Sequence, residues 1–272
     1  MTDNRPIGVF DSGLGGLSAI KELIKVLPNE NIIYFGDTGR VPYGGRSAET
    51  IINYARQDEK FLLSKDVKLI IAACGTVSSV ALSTGAELPV PFVEVVTPAA
   101  KAAVKATKNK KIGIIGTVAT VKSNSYSEKM RNLDKDVKIF SVACPMFVPL
   151  VEEGWIEKGD PITKETVHRY LSALKDVGVD TLVLGCTHYP AIKDIIAEYM
   201  GDGVTLINVG EQAAREAAEY LKENDMLADQ STVSREYFVS DRQESFSKIA
   251  GILLGKDISD SVSQVDINSF GG

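Results

Sequence analysis

The stretch Thr181-Leu-Val-Leu-Gly-Cys-Thr-His-Tyr-Pro190 combines a short apolar run with a glycine, a cysteine, two polar residues and a proline. This order is typical of a buried strand that ends in a turn. The turn would present Cys186, Thr187 and His188 just beyond the carboxyl end of the strand.

A second stretch, Val67–Thr76, has the same order. Its apolar run ends in Cys74, a threonine follows two positions later, and a helical pattern begins at Val77. Cys74 and Cys186 therefore occupy equivalent places in two strand-turn-helix units. This pairing predicts that the two cysteines act together.

Length and composition predict a soluble, globular protein. The 272 residues favour two domains, and 44% hydrophobic with 24% charged residues is an ordinary balance. The net charge of −6 argues against a nucleic acid or an anionic membrane as the main partner. No signal-peptide pattern or membrane-spanning apolar run occurs, so the predicted location is the cytoplasm. Three cysteines without CxxC or zinc-site spacing predict reduced thiols and no metal.

Short apolar runs alternate with longer helical patterns, which predicts an α/β fold with mostly parallel strands and crossover helices. The predicted strands are Ile7–Phe10, Asn31–Phe35, Lys68–Ala73, Phe92–Glu94, Lys111–Ile115, Lys138–Val142, Thr181–Leu184, Val204–Ile207 and Glu236–Val239. The predicted helices are Leu17–Leu27, Ala48–Leu63, Val77–Gly85, Pro98–Ala106, Ser123–Leu133, Lys164–Val177, Ala191–Met200, Gln212–Glu223 and Gln243–Leu254. Asp241 is a predicted N-cap, and the residues after Lys256 are predicted to form a loosely held tail.

The chain contains a weak internal duplication, because Ile7–Gly16 resembles Ile112–Thr120 and the Cys74 turn resembles the Cys186 turn. It predicts two similar lobes, each with a mostly parallel sheet flanked by helices, related by a pseudo-twofold axis. The first lobe is assigned residues 1–97 and 209–272, and the second lobe residues 98–208. Ligands of open parallel sheets bind beyond the carboxyl ends of the strands, so the active site is expected in the cleft between the lobes.

Two glycine-rich segments are candidate binding elements. The turn Asp11-Ser-Gly-Leu-Gly-Gly16 can hold an anion through backbone N–H groups, or it is simply a tight turn that needs glycine. It does not match the dinucleotide or P-loop patterns. The long polar loop Phe35–Arg46 favours a binding role over a simple connection, with an irregular surface loop as the alternative. Arg40 and Arg46 are predicted to be surface charges.

The two paired cysteines are the strongest candidates for chemistry. A free cysteine usually behaves as a small buried hydrophobe, but two cysteines at matching turns, each near a threonine, favour a chemical role. A helix N-terminus and a nearby histidine can lower a thiol pKa from about 8.5 toward neutrality, which would suit acid–base chemistry. Cys144 has no duplicate and is predicted to be structural.

Few side chains are available to support proton transfer at these thiols. The sequence has two histidines. His188 lies two residues beyond Cys186, whereas His168 falls in a polar helical stretch and is predicted to lie on the surface. Glu152, in Val151-Glu-Glu-Gly-Trp155, is a candidate for the second lobe's edge of the cleft, with a solvated glutamate as the alternative.

These segments together resemble the glutamate racemase family, whose members supply D-glutamate for peptidoglycan without a cofactor. The resemblance covers nearly the whole chain. It is carried by Asp11–Gly16, Gly36–Thr38 with Pro42–Gly44, the Cys74 turn, Gly116–Thr120, Val151–Gly154 and Gly185–Pro190.

The resemblance implies a two-base mechanism. Cys74 would deprotonate D-glutamate and Cys186 would deprotonate L-glutamate, with the opposite cysteine returning a proton. Asp11 would assist Cys74, while His188 and Glu152 would assist Cys186. The implied substrate contacts are Asp11, Ser12, Pro42, Tyr43, Gly44, Gly75, Thr76, Thr117, Thr120, Thr187 and His188, and Asp37 is also implicated. The resemblance further implies no cofactor, no metal and a homodimer.

Gly75 departs from the family pattern, which usually has asparagine directly after the first cysteine. Its loss leaves the specificity open, and an aspartate racemase is one alternative. The chain also lacks the long N-terminal extension of racemases that a peptidoglycan precursor activates, so no such activation is expected. A non-catalytic bilobed module that binds a small ligand is a hypothesis from a different class, and a thiol hydrolase built on Cys186 and His188 is a third.

Overall fold

The computed structural model describes residues 2–271. The strands are β1 (Ile7–Asp11), β2 (Ile32–Gly36), β3 (Leu69–Ala72), β4 (Phe92–Glu94), β5 (Lys111–Gly116), β6 (Lys138–Ala143), β7 (Thr181–Leu184), β8 (Thr205–Asn208), β9 (Arg235–Val239) and β10 (Val262–Gln264). The α-helices are α1 (Leu17–Val26), α2 (Ala48–Leu63), α3 (Gly75–Val80), α4 (Leu82–Gly85), α5 (Val96–Ala106), α6 (Val118–Ser123), α7 (Ser125–Leu133), α8 (Phe147–Glu152), α9 (Pro161–Asp176), α10 (Lys193–Met200), α11 (Val209–Glu223) and α12 (Gln243–Leu254). Short 3-10 helices cover Tyr43–Gly45, Tyr189–Ile192, Ser259–Ser261 and Ile267–Phe270.

The described strands form two sheets, in which every pairing is parallel. The first sheet has the order β10-β9-β2-β1-β3-β4, and the second has the order β6-β5-β7-β8. We call the first sheet with its helices the first lobe and the second sheet with its helices the second lobe. The predicted α/β fold with two mostly parallel sheets is confirmed.

The two sheets repeat one topology, because the order β2-β1-β3-β4 in the first corresponds to β6-β5-β7-β8 in the second. Cys74 follows β3 and Cys186 follows β7, which are equivalent strands. The turns after β1 and β5, which carry Ser12 and Thr117, are equivalent in the same way. The correspondence between these turns, inferred from sequence alone, thus has a counterpart in the strand order.

The central strands are apolar because both faces of each sheet are covered. All residues of β1, β2 and β3 are buried, as are those of β7. Parallel strands that are covered on both faces have continuous rather than alternating hydrophobic sequences. This explains why the short apolar runs located the strands so well.

One hydrophobic core joins the two lobes. It combines Ile7, Val9 and Leu69 of the first sheet with Ile114 and Val183 of the second. Helices α1, α5 and α11 contribute to the same core, and α5 and α11 are also the segments through which the chain crosses between the sheets. The lobes are therefore held together by apolar packing as well as by the contacts at the cleft.

All nine predicted strands are present to within one residue at each end. The predicted loose tail is wrong, because β10 pairs with β9, and Val262 and Ile267 are buried. The predicted helix Val77–Gly85 is divided at Ala81 into α3 and α4, and α6 and α8 had no sequence counterpart. The N-cap position of α12 is taken by Arg242 rather than Asp241. Among residues 2–271, no helix combines the length and apolarity needed to cross a membrane.

Candidate active site

A cleft of about 580 Å³ lies between the carboxyl ends of the two sheets. Both cysteines of the duplicated turns line it, and both lobes contribute to its walls. The predicted site residues in its lining are Ser12, Pro42, Tyr43, Gly44, Cys74, Gly75, Thr76, Thr117, Glu152, Cys186, Thr187 and His188. Parallel sheets leave their carboxyl-end turns free to bind ligands, so this position is the expected one for a site.

The Cys74 thiol is buried and donates a hydrogen bond to the Ser12 hydroxyl, with Sγ 3.5 Å from Oγ. Burial, reinforced by the negative charge of Asp11, raises the pKa of Cys74 to about 12. The expectation that a helix N-terminus lowers this pKa is therefore wrong for Cys74. The helix that Cys74 caps has only six residues. The free-energy cost of burying a thiolate beside a carboxylate exceeds the stabilisation that the N-terminus of this short helix provides. The Cys74 thiol is therefore protonated at neutral pH.

Cys186 begins a chain of three polar groups. Its Sγ lies 3.7 Å from Nδ1 of His188, and Nε2 of His188 lies 3.2 Å from Oε1 of Glu152. Burial alone would lower the pKa of His188, but its hydrogen bonds to Cys186 and Glu152 raise the pKa to about 10. At neutral pH the ring is therefore an imidazolium that can stabilise negative charge on the Cys186 sulfur.

Asp11 is fully buried and connects the lobes instead of lining the cleft. Its carboxylate accepts a hydrogen bond from the backbone N–H of Gly13 at 2.9 Å and another from the Thr187 hydroxyl at 3.1 Å. The Ser18 hydroxyl, also from the first lobe, donates to the Thr187 carbonyl at 2.8 Å. Asp11 thus acts electrostatically on Cys74 while it holds the turn that carries Cys186.

Three threonine hydroxyls form a line of hydrogen bonds that runs from the first lobe into the second. Thr76 lies 3.0 Å from Thr117, and Thr117 lies 3.0 Å from Thr120. Thr76 and Thr117 line the cleft, whereas Thr120 is buried behind Thr117 and does not. Thr120 can therefore orient Thr117 but lies outside the cleft wall.

The loop after β2 places Pro42, Tyr43 and Gly44 on the cleft wall. The Tyr43 hydroxyl donates a hydrogen bond to Asp37, which is not part of the cleft lining. Arg46 is exposed, as the sequence predicts. The surface assignment of Arg40 is wrong: its side chain is only 14% exposed, because it pairs with Asp37 and with Asp58 of α2.

The close approach of the lobes explains why residue 75 is glycine. A Cβ atom added to Gly75 would lie well under 3.0 Å from the carbonyl oxygen of Gly185, in the turn that follows β7. Similar crowding surrounds Gly15 against Thr187 and His188. The first-lobe turns therefore lie directly against the Cys186 turn, where there is no room for a side chain.

The sequence did not identify several residues that line the cleft. They are Val41, Gly45, Val118, Pro145, Val148, Pro149 and Arg242. Arg242 adds a positive charge and follows β9, so the rule that binding residues follow strands would have located it. Of the remaining candidates, Cys144 is buried in the second lobe's core, and His168 lies exposed on α9, as predicted.

The arrangement defines a class of protein: a bilobed α/β molecule with two thiols facing one cleft from equivalent strand ends. Residues 36–217 match the model of the Asp/Glu/Hydantoin racemase family, and this chain belongs to that family. A glutamate racemase of Geobacter metallireducens is 42% identical over 267 residues, covering 97% of this chain and 98% of the relative.

Solved structures of similar proteins have the same overall fold. A glutamate racemase from Bacillus anthracis superposes with a TM-score of 0.93 at 37% identity, covering 97% of this chain and 98% of that one. A glutamate racemase from Francisella tularensis, solved in complex with D-glutamate, has a TM-score of 0.91 at 36% identity, covering 98% and 99% of the two chains.

Proposed function

We propose that this protein interconverts L-glutamate and D-glutamate by proton transfer at the α carbon, with Cys74 and Cys186 as the two acid–base groups. The observation that carries the proposal is the position of two thiols at equivalent strand ends on either side of one cleft. Racemisation removes the α proton from one face of the carbon and returns a proton to the other. Two such groups, one on each lobe, suit that geometry.

The environments of the thiols support the following assignment of the steps. With L-glutamate bound, Cys186 takes the α proton, and the imidazolium of His188 stabilises the sulfur before and during transfer. Cys74 holds a proton at neutral pH and donates it to the opposite face, which gives D-glutamate. The forward step leaves Cys74 as the thiolate and Cys186 as the thiol, so the reverse reaction begins from that state, with Cys74 taking the α proton of D-glutamate and Cys186 donating its own. The ammonium group of the substrate would favour the Cys74 thiolate by adding a positive charge to a buried, acidic neighbourhood.

The remaining polar groups of the cleft would hold the substrate. The hydroxyls of Ser12, Thr76, Thr117 and Thr187 and the backbone near Gly44 and Gly75 would bind its carboxylates and ammonium. Thr120 would act through Thr117, and Asp11 through Thr187 and Cys74. Arg242 adds a cation to the lining that suits a second carboxylate.

The energetics require more than the two thiols. Turnover near 10 s⁻¹ corresponds to a barrier of about 16 kcal/mol. General acid–base catalysis contributes only about 10² to 10⁴ in rate. Preorganised donors around the α-carboxylate and the exclusion of water must supply much of the rest. The closely packed turns around Cys186 are suited to both tasks.

Several finer features of the proposal rest on the family resemblance. The reaction would use no cofactor, and its product D-glutamate would supply peptidoglycan synthesis in the cytoplasm. The resemblance also favours a homodimer. Cofactor independence is consistent with a mechanism in which side chains of this chain perform both proton transfers.

The test follows the circular dichroism of L-glutamate, D-glutamate and L-aspartate during incubation with the purified protein. We expect the signals of both glutamate enantiomers to decay to zero. The value of kcat/KM should be the same in the two directions, because the enantiomers have equal free energies. L-aspartate should keep its signal. If the aspartate signal decays and the glutamate signals do not, the substrate is aspartate and not glutamate. If no signal decays, the proposed reaction is refuted.

A further inference from the structure

A buried polar network lies behind the cleft wall formed by Pro42 and Gly44. It joins Asp37 and Arg40 of the loop after β2 to Asp58 of α2. Nε of Arg40 lies 2.5 Å from Oδ2 of Asp37, and Nη2 lies 3.1 Å from Oδ1 of Asp58. Both carboxyl side chains are fully buried. Oε1 of Gln57 accepts a further hydrogen bond from Nη1 of Arg40.

Tyr43 completes the network and contacts both carboxyl groups. Its hydroxyl donates a hydrogen bond to Oδ2 of Asp37 and lies 3.3 Å from Oδ2 of Asp58. A phenol has one proton to donate. The closer acceptor is Asp37, so the single phenolic proton is assigned to that bond. A proton on Oδ2 of Asp58 would let the Tyr43 oxygen accept it, and the contact between Tyr43 and Asp58 would then also be a full hydrogen bond.

The buried charges of this network also favour a proton on Asp58. Two ionised carboxylates and one guanidinium would leave a net negative charge buried, which is costly unless a proton neutralises it. Oδ1 of Asp37 has no hydrogen-bond partner among the described residues, so a proton there would have no acceptor. A proton on Oδ2 of Asp58 has an acceptor in Tyr43. The geometry therefore places the charge on Asp37 and the proton on Asp58.

We propose that Asp58 carries a proton while Asp37 is ionised. This carboxyl pair, held by Arg40 and Tyr43, positions the Pro42–Gly44 wall of the cleft for substrate. The inference rests on the proposed function, since it assigns positioning residues to the same site. Asp37, Arg40 and Asp58 do not line the cleft, so they act through the loop.

The surroundings of Asp58 support this assignment. The titratable and charged groups that act on it are Asp37 and Arg40 from the loop, Tyr43 from the 3-10 helix and Glu59 from α2. Burial, reinforced by Asp37, raises the pKa of Asp58 well above its ordinary value. Burial, with Asp58 and Asp37, likewise holds the pKa of Tyr43 well above its ordinary range, so the phenol keeps its proton.

The first experiment compares two isosteric substitutions, Asp58→Asn and Asp37→Asn. Asparagine at 58 reproduces a protonated carboxyl, with an N–H donor toward Tyr43 and an oxygen toward Arg40. We expect kcat/KM for glutamate within about threefold of the parent for Asp58→Asn. Asp37→Asn removes the one full charge opposite Arg40, and we expect KM to rise at least about tenfold with a smaller change in kcat. Asp202→Asn, exposed between α10 and β8, is the matched control.

The second experiment measures the unfolding midpoint against pH for the parent and Asp58→Asn. In the native state Asp58 keeps its proton at pH values at which the same residue in the unfolded chain has already lost it. Stability from this group therefore falls as the pH rises above about 4. Asparagine does not titrate, so the variant lacks this loss of stability. The unfolding midpoint of Asp58→Asn should therefore increase relative to that of the parent as the pH rises. This readout needs no activity, and it remains decisive if glutamate is not the substrate.

Two outcomes would overturn the inference: equal losses of kcat/KM in Asp58→Asn and Asp37→Asn, or a midpoint difference that does not change with pH. If Asp37→Asn does not fold, Tyr43→Phe replaces it, because it removes only the bridging hydroxyl. A several-fold rise in KM is then expected, and an unchanged KM would contradict the positioning role. Absence of racemisation in the parent would instead refute the proposed function and leave the pH test of the carboxyl pair intact.

Discussion

Cys74 and Cys186 occupy equivalent turns but have different chemical neighbours. Cys74 lies beside the Ser12 hydroxyl, and the charge of Asp11 opposes its ionisation. Cys186 lies beside the His188 ring, which is positively charged at neutral pH. The duplication thus supplies two thiols at matching places, and local residues keep the proton on Cys74 and place a positively charged ring beside Cys186.

Substitution of Gly75 by asparagine should lower activity, although asparagine is the usual family residue. The added Cβ would collide with the Gly185 carbonyl, and the Cys186 turn or the Cys74 turn would have to move. A displacement of about 1 Å at catalytic groups can reduce the rate by about 10²-fold, and a loss of kcat of that order is expected. Steady-state racemisation kinetics measure it.

The matched control is Gly203→Asn, where an added Cβ meets no atom within 4 Å. It should leave kcat and KM unchanged. If the Gly75→Asn protein is as active as the parent, the lobes separate easily enough to accept a side chain, and the close contact at Gly75 does not govern the reaction.

At the residue scale, the sequence identified most of the cleft lining but not its electrostatics. The pairing of Cys74 with Cys186 could be inferred, because repeated turns leave a visible pattern. The raised pKa of Cys74 and the burial of Arg40 could not, since both depend on neighbours that are distant in sequence. Asp58, for example, lies 18 positions from Arg40 and faces it only after α2 packs against the loop.

An ion pair joins α8 to the turn after β7 at the site. Glu152, the last residue of α8, holds His188 on the side opposite Cys186. The pKa of His188 is raised above its unfolded value of about 6.5 to about 10. Its stabilising contribution is therefore complete below pH 6.5 and disappears as the pH rises through about 10.

Substitution Glu152→Gln should lower the pKa of His188 by about one to three units, because the negative partner is removed. An NMR titration of the imidazole resonances measures this directly. The chain has two histidines, and the second, His168, is exposed on α9 and serves as an internal reference. Racemisation should fall in both directions by the same factor in kcat/KM. An unshifted His188 titration would contradict the role assigned to Glu152.

Elements with strong patterns could be predicted, and those stabilised by their position in the fold could not. Strands such as β1 and β7 are buried throughout and mostly apolar because both faces are covered. In contrast, β10 has three residues, Val262-Ser-Gln264, and exists because β9 offers a free parallel edge. Helix α8 was missed because it contains Pro149, which is tolerated there within the first turn of a six-residue helix.

The two lobes should unfold together, because they share one hydrophobic core. Ile7 and Leu23 of the first lobe belong to the same cluster as Ile114 and Val183 of the second. We expect one calorimetric transition with equal calorimetric and van't Hoff enthalpies. Ile114→Ala should destabilise the protein by about 2 to 5 kcal/mol and keep the transition single. Two separated transitions would show that the lobes are independent units.

The whole molecule is a duplicated α/β unit whose halves meet where their turns carry chemistry. The repeated strand order could be anticipated from two pairs of similar turns. The closeness of the halves could not, since it depends on backbone contacts such as those of Gly75 and Gly15. Hydroxyl bonds from Ser18 and Thr76 to the opposite lobe add to this contact.

The central claim is that Cys74 and Cys186 act as paired acid–base groups on opposite faces of one carbon. The most direct measurement follows racemisation and α-hydrogen exchange of both glutamate enantiomers in D₂O with Cys74→Ser, Cys186→Ser and Cys144→Ser. Cys144, buried in the second lobe's core outside the cleft lining, is the matched control. Each variant's folding is checked by its unfolding midpoint.

We predict that Cys74→Ser and Cys186→Ser each lose racemisation by at least about 10³-fold, because serine is a much weaker acid and base than cysteine in the same position. Cys144→Ser should racemise both enantiomers at close to the parent rate, with solvent deuterium in the product. Full activity in Cys74→Ser would contradict the account and favour a thiol hydrolase built on Cys186 and His188.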